Sequence, residues 1–145
     1  MANAFVHIEL NTGNLPAAKK FYKAVFDWKL KDMPEMEYTT IDVGDGVGGG
    51  MQEKMEGSPT TWVPYVMVDD VKRSLAKAAK AGANVVVGHM PIGEMGAIGV
   101  FVDPTGAALG VWEMAKKQAP AKKAAPKKAA PKKAAPKKAA AKKKR

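Results

Sequence analysis

One structural plan is written into this chain twice, and it limits the folds open to it. Each copy has a strand, a turn, an amphipathic helix and three further strands, over about residues 5–51 and 62–114. In the first copy FVHIEL (5–10) alternates. Phe5, His7 and Glu9 take one side, and Val6, Ile8 and Leu10 take the other. The aliphatic set is expected on the packed side, which leaves an aromatic, an imidazole and a carboxylate on the opposite face. After the turn Asn11-Thr12-Gly13-Asn14, the residues Leu15, Ala18, Phe21, Tyr22 and Val25 recur at helical spacing. Asn14 is the expected N-cap, and Pro16 suits a first helical turn, where no backbone donor is missed. DWKLKDM (27–33), EYTTIDV (37–43) and VGGGM (47–51) read as the three strands. The glycines at 48–50 point to a bulge or to a close approach by backbone or ligand.

The second copy opens with WVPYVMV (62–68), whose Pro64 predicts an edge position or a bulge. Asp69 or Asp70 caps a helix with the apolar stripe Val71, Leu75, Ala78 and Ala79, and Gly82 suits its exit. ANVVV (83–87), AIGVFV (97–102) and AALGVWE (107–113) are strands. Residues 88–96 read as irregular, and Asp103-Pro104-Thr105-Gly106 fits a type I turn. Neither copy has enough apolar surface for a full core. The expected class is therefore α+β: paired β-α-β-β-β modules forming a curved sheet, with helices outside and a cleft inside.

Charge divides the chain. All 14 acidic residues lie in 1–114 with ten of the 24 Lys and Arg, so the body carries about −4 (10 − 14). The remaining 14 cations (24 − 10) follow Ala115, in a segment with no aromatic and no aliphatic larger than Ala. The expected division is a folded domain over 4–115 and a disordered basic tail over 116–145. The unit Lys-Lys-Ala-Ala-Pro repeats from Lys122, and proline every fifth residue blocks a continuous helix. Lys122, Lys123, Lys127, Lys128, Lys132, Lys133, Lys137, Lys138, Lys142, Lys143, Lys144 and Arg145 are the expected contacts to nucleic-acid phosphates, without sequence readout. A solvated tail that only aids solubility is the plainer alternative. The absence of cysteine excludes disulfides and thiol chemistry. The start MANAFVHIEL lacks the pattern of a signal peptide, and no run of about twenty apolar residues occurs. The expectation is a soluble cytoplasmic protein without a membrane partner, brought to the nucleoid by its tail.

Several segments together resemble the vicinal oxygen chelate superfamily of glyoxalases, extradiol dioxygenases and bleomycin-resistance proteins. They are His7-Ile8-Glu9-Leu10, Phe21-Tyr22 with Phe26-Asp27-Trp28, Tyr65 to Val71 (YVMVDDV), Ala81-Gly82-Ala83 and Asp103-Pro104-Thr105-Gly106. They cover most of 5–114, in order, and look most like the small glyoxalase-like members. The tail lies outside that match and resembles the C-terminal tails of linker histones. The resemblance implies a divalent metal held by the first and last strands of each module, a lyase or dioxygenase activity, and pairing into homodimers. His7 stands at the first ligand position. The other positions fall on Val63, on Gly49 or Gly50, and on Gly110, none of which has a side-chain donor. The expected cofactor is therefore none.

For the cleft, His7 and Glu9 are the expected acid/base or recognition pair, because His titrates near neutrality and Glu can orient it. Tyr65 and Trp112 are expected beside them to stack on a flat ligand, with Met51 and Met67 as adaptable lining. His89 reads as a surface residue. The alternatives are a metal-free module that binds a small molecule and an enzyme of the lyase or dioxygenase type.

Overall fold

The computed structural model describes residues 2–116. The first module comprises β1 (Phe5–Thr12), α1 (Leu15–Val25), β2 (Lys29–Met33), β3 (Tyr38–Asp42) and β4 (Gly49–Glu53). The second comprises β5 (Thr61–Met67), α2 (Val71–Lys80), β6 (Asn84–Pro91), β7 (Ala97–Val102) and β8 (Ala108–Glu113). The eight strands form one sheet in the order β2-β3-β4-β1-β5-β8-β7-β6. That order reads the same from either end when the modules are exchanged. β1 and β5 pair antiparallel at the centre, and each runs parallel to the last strand of its own module. The α+β class with paired modules is the observed one.

Local signals built the helices as expected. The Asn14 side chain accepts from the Ala17 backbone N–H, and Asp70 accepts from that of Arg73, so each helix begins on a side-chain cap. Asp103 accepts from the N–H groups of Thr105 and Ala107 and closes the turn before β8. The two helices differ in packing. α2 buries Val71 and Leu75 against Val111, whereas α1 has no fully buried residue and leans on an aromatic group of Tyr22, Phe26, Trp28 and Trp62.

Four expectations need correction. Pro64 sits on a central strand, not an edge; the β5–β8 ladder begins one residue later, at Tyr65, so the proline stands just outside that ladder. The pairing of β1 with β5 shifts register between Phe5 and His7, a bulge that reorients Val6. Val6 thus lines the cleft instead of the packed side, and Phe5 is 58% exposed. Ile8, beyond the bulge, keeps its place in the alternation but is 39% exposed. Residues 88–91 continue β6, and only a short 3-10 turn, Gly93–Met95, interrupts the path to β7. His89 therefore lies on a strand, half-buried, with Nε2 3.4 Å from Glu113 Oε1. The tail residues from 117 onward, including every one named above as a phosphate contact, lie outside the described residues.

Candidate active site

A cavity of about 480 Å³ opens on the concave face of the sheet, between the modules. The structure brings His7, Glu9, Tyr65 and Trp112 to it together. Tyr65 lies directly across from His7 in the β1–β5 pair, and Trp112 lies two residues along β8 from Gly110, the partner of Tyr65. The His7 ring stands edge-on to Trp112, with centroids 5.3 Å apart at 78°. Met51 and Met67 do not line the cavity. Met51 is fully buried in the core with Leu10 and Ile41. The lining methionines are Met33, Met36, Met90 and Met95, at the ends of β2 and β6 and in the 3-10 turns that follow them.

Glu9 is the best-connected side chain of the site and is 6% exposed. Its Oε1 accepts from Asn11 Nδ2 at 3.2 Å, Gln52 Nε2 at 3.0 Å and the Tyr65 hydroxyl at 3.1 Å. Its Oε2 accepts from the Tyr38 hydroxyl at 3.1 Å. Burial pushes its carboxyl above the usual carboxylate range, and those four hydrogen bonds pull in the opposite direction. Burial also raises both tyrosine hydroxyls, reinforced by the Glu9 charge, so both stay protonated. His7 is pushed down by burial, toward the neutral imidazole.

The Tyr38 hydroxyl also lies 2.6 Å from His7 Nε2. A hydroxyl has one proton to give. With Glu9 ionised, Tyr38 donates to Oε2, and His7 must donate its Nε2–H to the Tyr38 oxygen. With Glu9 protonated, the chain reverses: Glu9 donates to Tyr38, and Tyr38 donates to Nε2. His7 Nδ1 makes no hydrogen bond among the described residues. No buried polar side-chain atom among them lacks a partner, so Nδ1 faces accessible space. It is a base in the first state and an acid in the second. A proton taken at Nδ1 can therefore be matched by one moved from Nε2 to Tyr38 and one from Tyr38 to Glu9, with His7 neutral at both ends of the exchange.

The donor set does not fit the divalent metal that the resemblance implies. The register places Gly50 opposite Glu9 and Gly110 opposite Tyr65. A Cβ built on Gly50 would overlap the Tyr38 ring, and one on Gly110 would overlap the Tyr65 ring. Tyrosine rings occupy the space that ligand side chains from those positions would need. Among the described residues, no three His, Cys, Asp or Glu side chains converge to hold a metal. Glu113 points away from the cleft, with Oε2 accepting from the Val71 backbone N–H at 2.6 Å at the start of α2.

Sequence reading missed Tyr38, Gln52 and Asn11. Tyr38 read only as part of a β-branched and aromatic strand. Its alternation with Thr40, which also lines the cavity, was the one available signal.

Residues 4–111 match the family described as Glyoxalase/Bleomycin resistance protein/Dioxygenase superfamily. A curated relative from Mycobacterium tuberculosis, "Putative glyoxylase CFP32", is 32% identical over 114 residues, covering 73% of this chain and 44% of that protein. "Anthracycline biosynthesis protein DnrV" of Streptomyces peucetius is 27% identical over 122 residues, covering 72% and 44%. The chain thus spans less than half the length of these relatives. Among solved structures, a hypothetical protein from Bacillus halodurans superposes with a TM-score of 0.58 at 14% identity, covering 81% of this chain and 98% of that one. Methylmalonyl-CoA epimerase from Mycobacterium tuberculosis gives 0.53 at 13% identity, covering 78% and 89%. At such identities the superpositions show the fold.

Proposed function

The chain belongs to the glyoxalase/bleomycin resistance protein/dioxygenase superfamily, and from that premise we propose that its cleft binds a small molecule and exchanges a proton with it without a metal. The observation that carries this reading is the hydrogen-bonded series His7–Tyr38–Glu9, which ends at an apolar cavity. His7 is the group that touches the ligand. Tyr38 relays the proton, and Glu9 stores it in a buried site where its neutral form is favoured. Tyr65, Gln52 and Asn11 hold the Glu9 carboxylate in place. The alternative, a metal-dependent lyase or dioxygenase, has no support in the donor set, because Gly50, Val63 and Gly110 offer no ligand.

The test is ligand binding by the purified chain, from a small-molecule panel, before and after dialysis against a chelator, with metal analysis of the same samples. Metal below stoichiometry and unchanged binding are expected. His7→Ala and Glu9→Gln should each weaken binding while the fold persists, since neither removes core aliphatic volume. Stoichiometric, tightly held Zn, Ni, Mn or Fe whose removal abolishes binding would sink the reading.

A second reading concerns the tail. Its 14 cations and its lack of any apolar anchor favour a nucleic-acid tether for the domain over a membrane contact. Deletion of 116–145 tests it.

A further inference from the structure

We propose that the cleft's ligand is an uncharged, planar aromatic molecule carrying one hydroxyl group, which donates to His7 Nδ1. This rests on the proton-exchange reading above and adds the chemical class. Three observations carry it.

The first is charge. Among the described residues that line the cavity there is no lysine and no arginine, and the one carboxylate is Glu9. An anionic ligand would lose its hydration, find no cation and lie near a buried negative charge. A cation would find that carboxylate already occupied by four donors. A neutral ligand meets neither penalty.

The second is the character of the walls. Trp112 donates its indole N–H to the Met95 carbonyl at 2.8 Å, so the ring is fixed and its polar handle is spent. It offers the ligand only aromatic surface. Two matching pairs of methionines line the cavity, one from each module: Met33 and Met36 around the turn Pro34–Met36, and Met90 and Met95 around the turn Gly93–Met95. Met36, Met90 and Met95 are 39–45% exposed. Thioethers contact aromatic rings favourably, and unbranched methionine adapts to their outline.

The third is the polar end. Tyr38, Tyr65 and Gln52 already direct donors at Glu9. Among the nitrogen and amide-oxygen positions of that network, His7 Nδ1 and Gln52 Oε1 make no hydrogen bond with the described residues, and both can only accept while Glu9 is ionised. Nδ1 belongs to the ring that stands edge-on to Trp112. A ligand hydroxyl fits Nδ1, and a methyl ether does not. The volume of about 480 Å³ lies within the usual range for small-molecule sites.

The experiment is a two-dimensional NMR titration of the full chain, at physiological salt and near-neutral pH, with four probes: naphthol, naphthoate, methoxynaphthalene and the fully saturated naphthol analogue. The readouts are the Trp112 indole and His7 ring signals, with the Trp28 and Trp62 indoles as controls. Naphthol should shift Trp112 and His7 and leave the controls in place. Naphthoate and methoxynaphthalene should bind about tenfold more weakly or worse, since a buried unpaired charge or unpaired acceptor keeps its desolvation cost. The saturated alcohol should also bind about tenfold more weakly, since it has no aromatic face for Trp112 and the methionines. Naphthoate or the saturated alcohol shifting the same signals as strongly would overturn the ligand class and leave the cleft reading standing. Silence of Trp112 and His7 toward all four probes would also overturn the class. If naphthol shifts only the Trp28 and Trp62 signals, or its affinity is unchanged in His7→Ala, the cleft reading itself fails.

Discussion

Glu9 and Tyr65 occupy equivalent positions in the two modules, and the Tyr65 hydroxyl donates to Glu9 across the internal two-fold at 3.1 Å. The equivalence follows from the parallel pairings, in which Glu9 faces Gly50 and Tyr65 faces Gly110. Exchanging the modules therefore maps His7 onto Val63 and Glu9 onto Tyr65, a mapping that the β1–β5 register also obeys. His7 and Val63 also stand the same distance ahead of the helix caps Asn14 and Asp70. The fold is symmetric and the chemistry is not. One module supplies the imidazole and carboxylate; the other supplies a valine and a tyrosine that closes the network.

The His7 tautomer is set by Glu9, acting through Tyr38. While Glu9 is ionised the ring proton is expected on Nε2, because Tyr38 has only one proton and its hydrogen bond to Oε2 uses it. In Glu9→Gln the amide oxygen can serve the three donors that Oε1 serves now. Its NH₂ group then faces Tyr38 and forces Tyr38 to donate to Nε2. The ring proton should move to Nδ1, which would turn the exposed nitrogen from acceptor to donor. Imidazole nitrogen shifts measure this directly. An unchanged tautomer in Glu9→Gln would mean that Tyr38 does not couple the two residues.

The same pair predicts opposed pH dependences of stability. Burial raises Glu9 from its ordinary 4.5. The folded state therefore binds that proton more tightly, and stability falls as pH rises from about 4.5 through the raised value. Burial lowers His7 from 6.5, so the unfolded state binds its proton more tightly, and stability rises as pH climbs toward 6.5. The two trends offset each other between these values. Asp32, Asp70 and Asp103 are held below 3.8 and act mainly under this window. Denaturant midpoints should climb with pH across the window in Glu9→Gln and decline in His7→Ala. Parallel profiles in the two variants would contradict the assignment.

The helices, their caps and the modular plan were legible in the sequence because they rest on contacts within a few residues. His7, Glu9, Tyr65 and Trp112 were legible because strand alternation fixes a face. Tyr38 and Gln52 were not, since they reach Glu9 from 29 and 43 residues away and depend on strand order and register. The bulge before His7 was equally hidden. It arises from pairing with β5 and carries Val6 to the face that alternation assigned to Phe5. Pro64 misled because a proline looks the same at a ladder's end as at a sheet's edge.

Gly50 and Gly110 are predicted to be intolerant of a methyl group. In each case the added Cβ would overlap a tyrosine ring of the network, Tyr38 or Tyr65. Tyr65 is 3% exposed and cannot swing into solvent. Gly110→Ala should therefore cost about 1–3 kcal/mol or more in chemical denaturation, the usual range for overpacking. Gly50→Ala has a milder outcome, because Tyr38 is only partly buried. It should displace the Tyr38 hydroxyl, break its contact with His7 and disturb the imidazole signals before it unfolds the chain. Near-parental stability of Gly110→Ala would show that the tyrosine ring is not fixed where the family's ligand would project.

The tail carries the last prediction. Its 14 cations are set against a body of net charge about −4 (10 − 14), so nucleic-acid affinity should reside in the tail alone. Apart from Gln118 at its root, it has no side chain suited to reading base edges, and affinity should be nearly independent of sequence. If about half of its cations engage phosphates, binding should fall on the order of a thousandfold between about 50 and 200 mM salt, as released counterions are driven back onto the duplex. Removal of residues 116–145 should abolish binding, because the acidic body repels the phosphate backbone. The same truncation should leave the denaturation midpoint and the His7 ring signals unchanged, since every strand and helix of the domain ends by Glu113. Duplex titrations of the full and truncated chains at two salt concentrations decide the matter. Equal binding by the truncated chain, or affinity in the full chain that ignores salt, would remove the tail from this role.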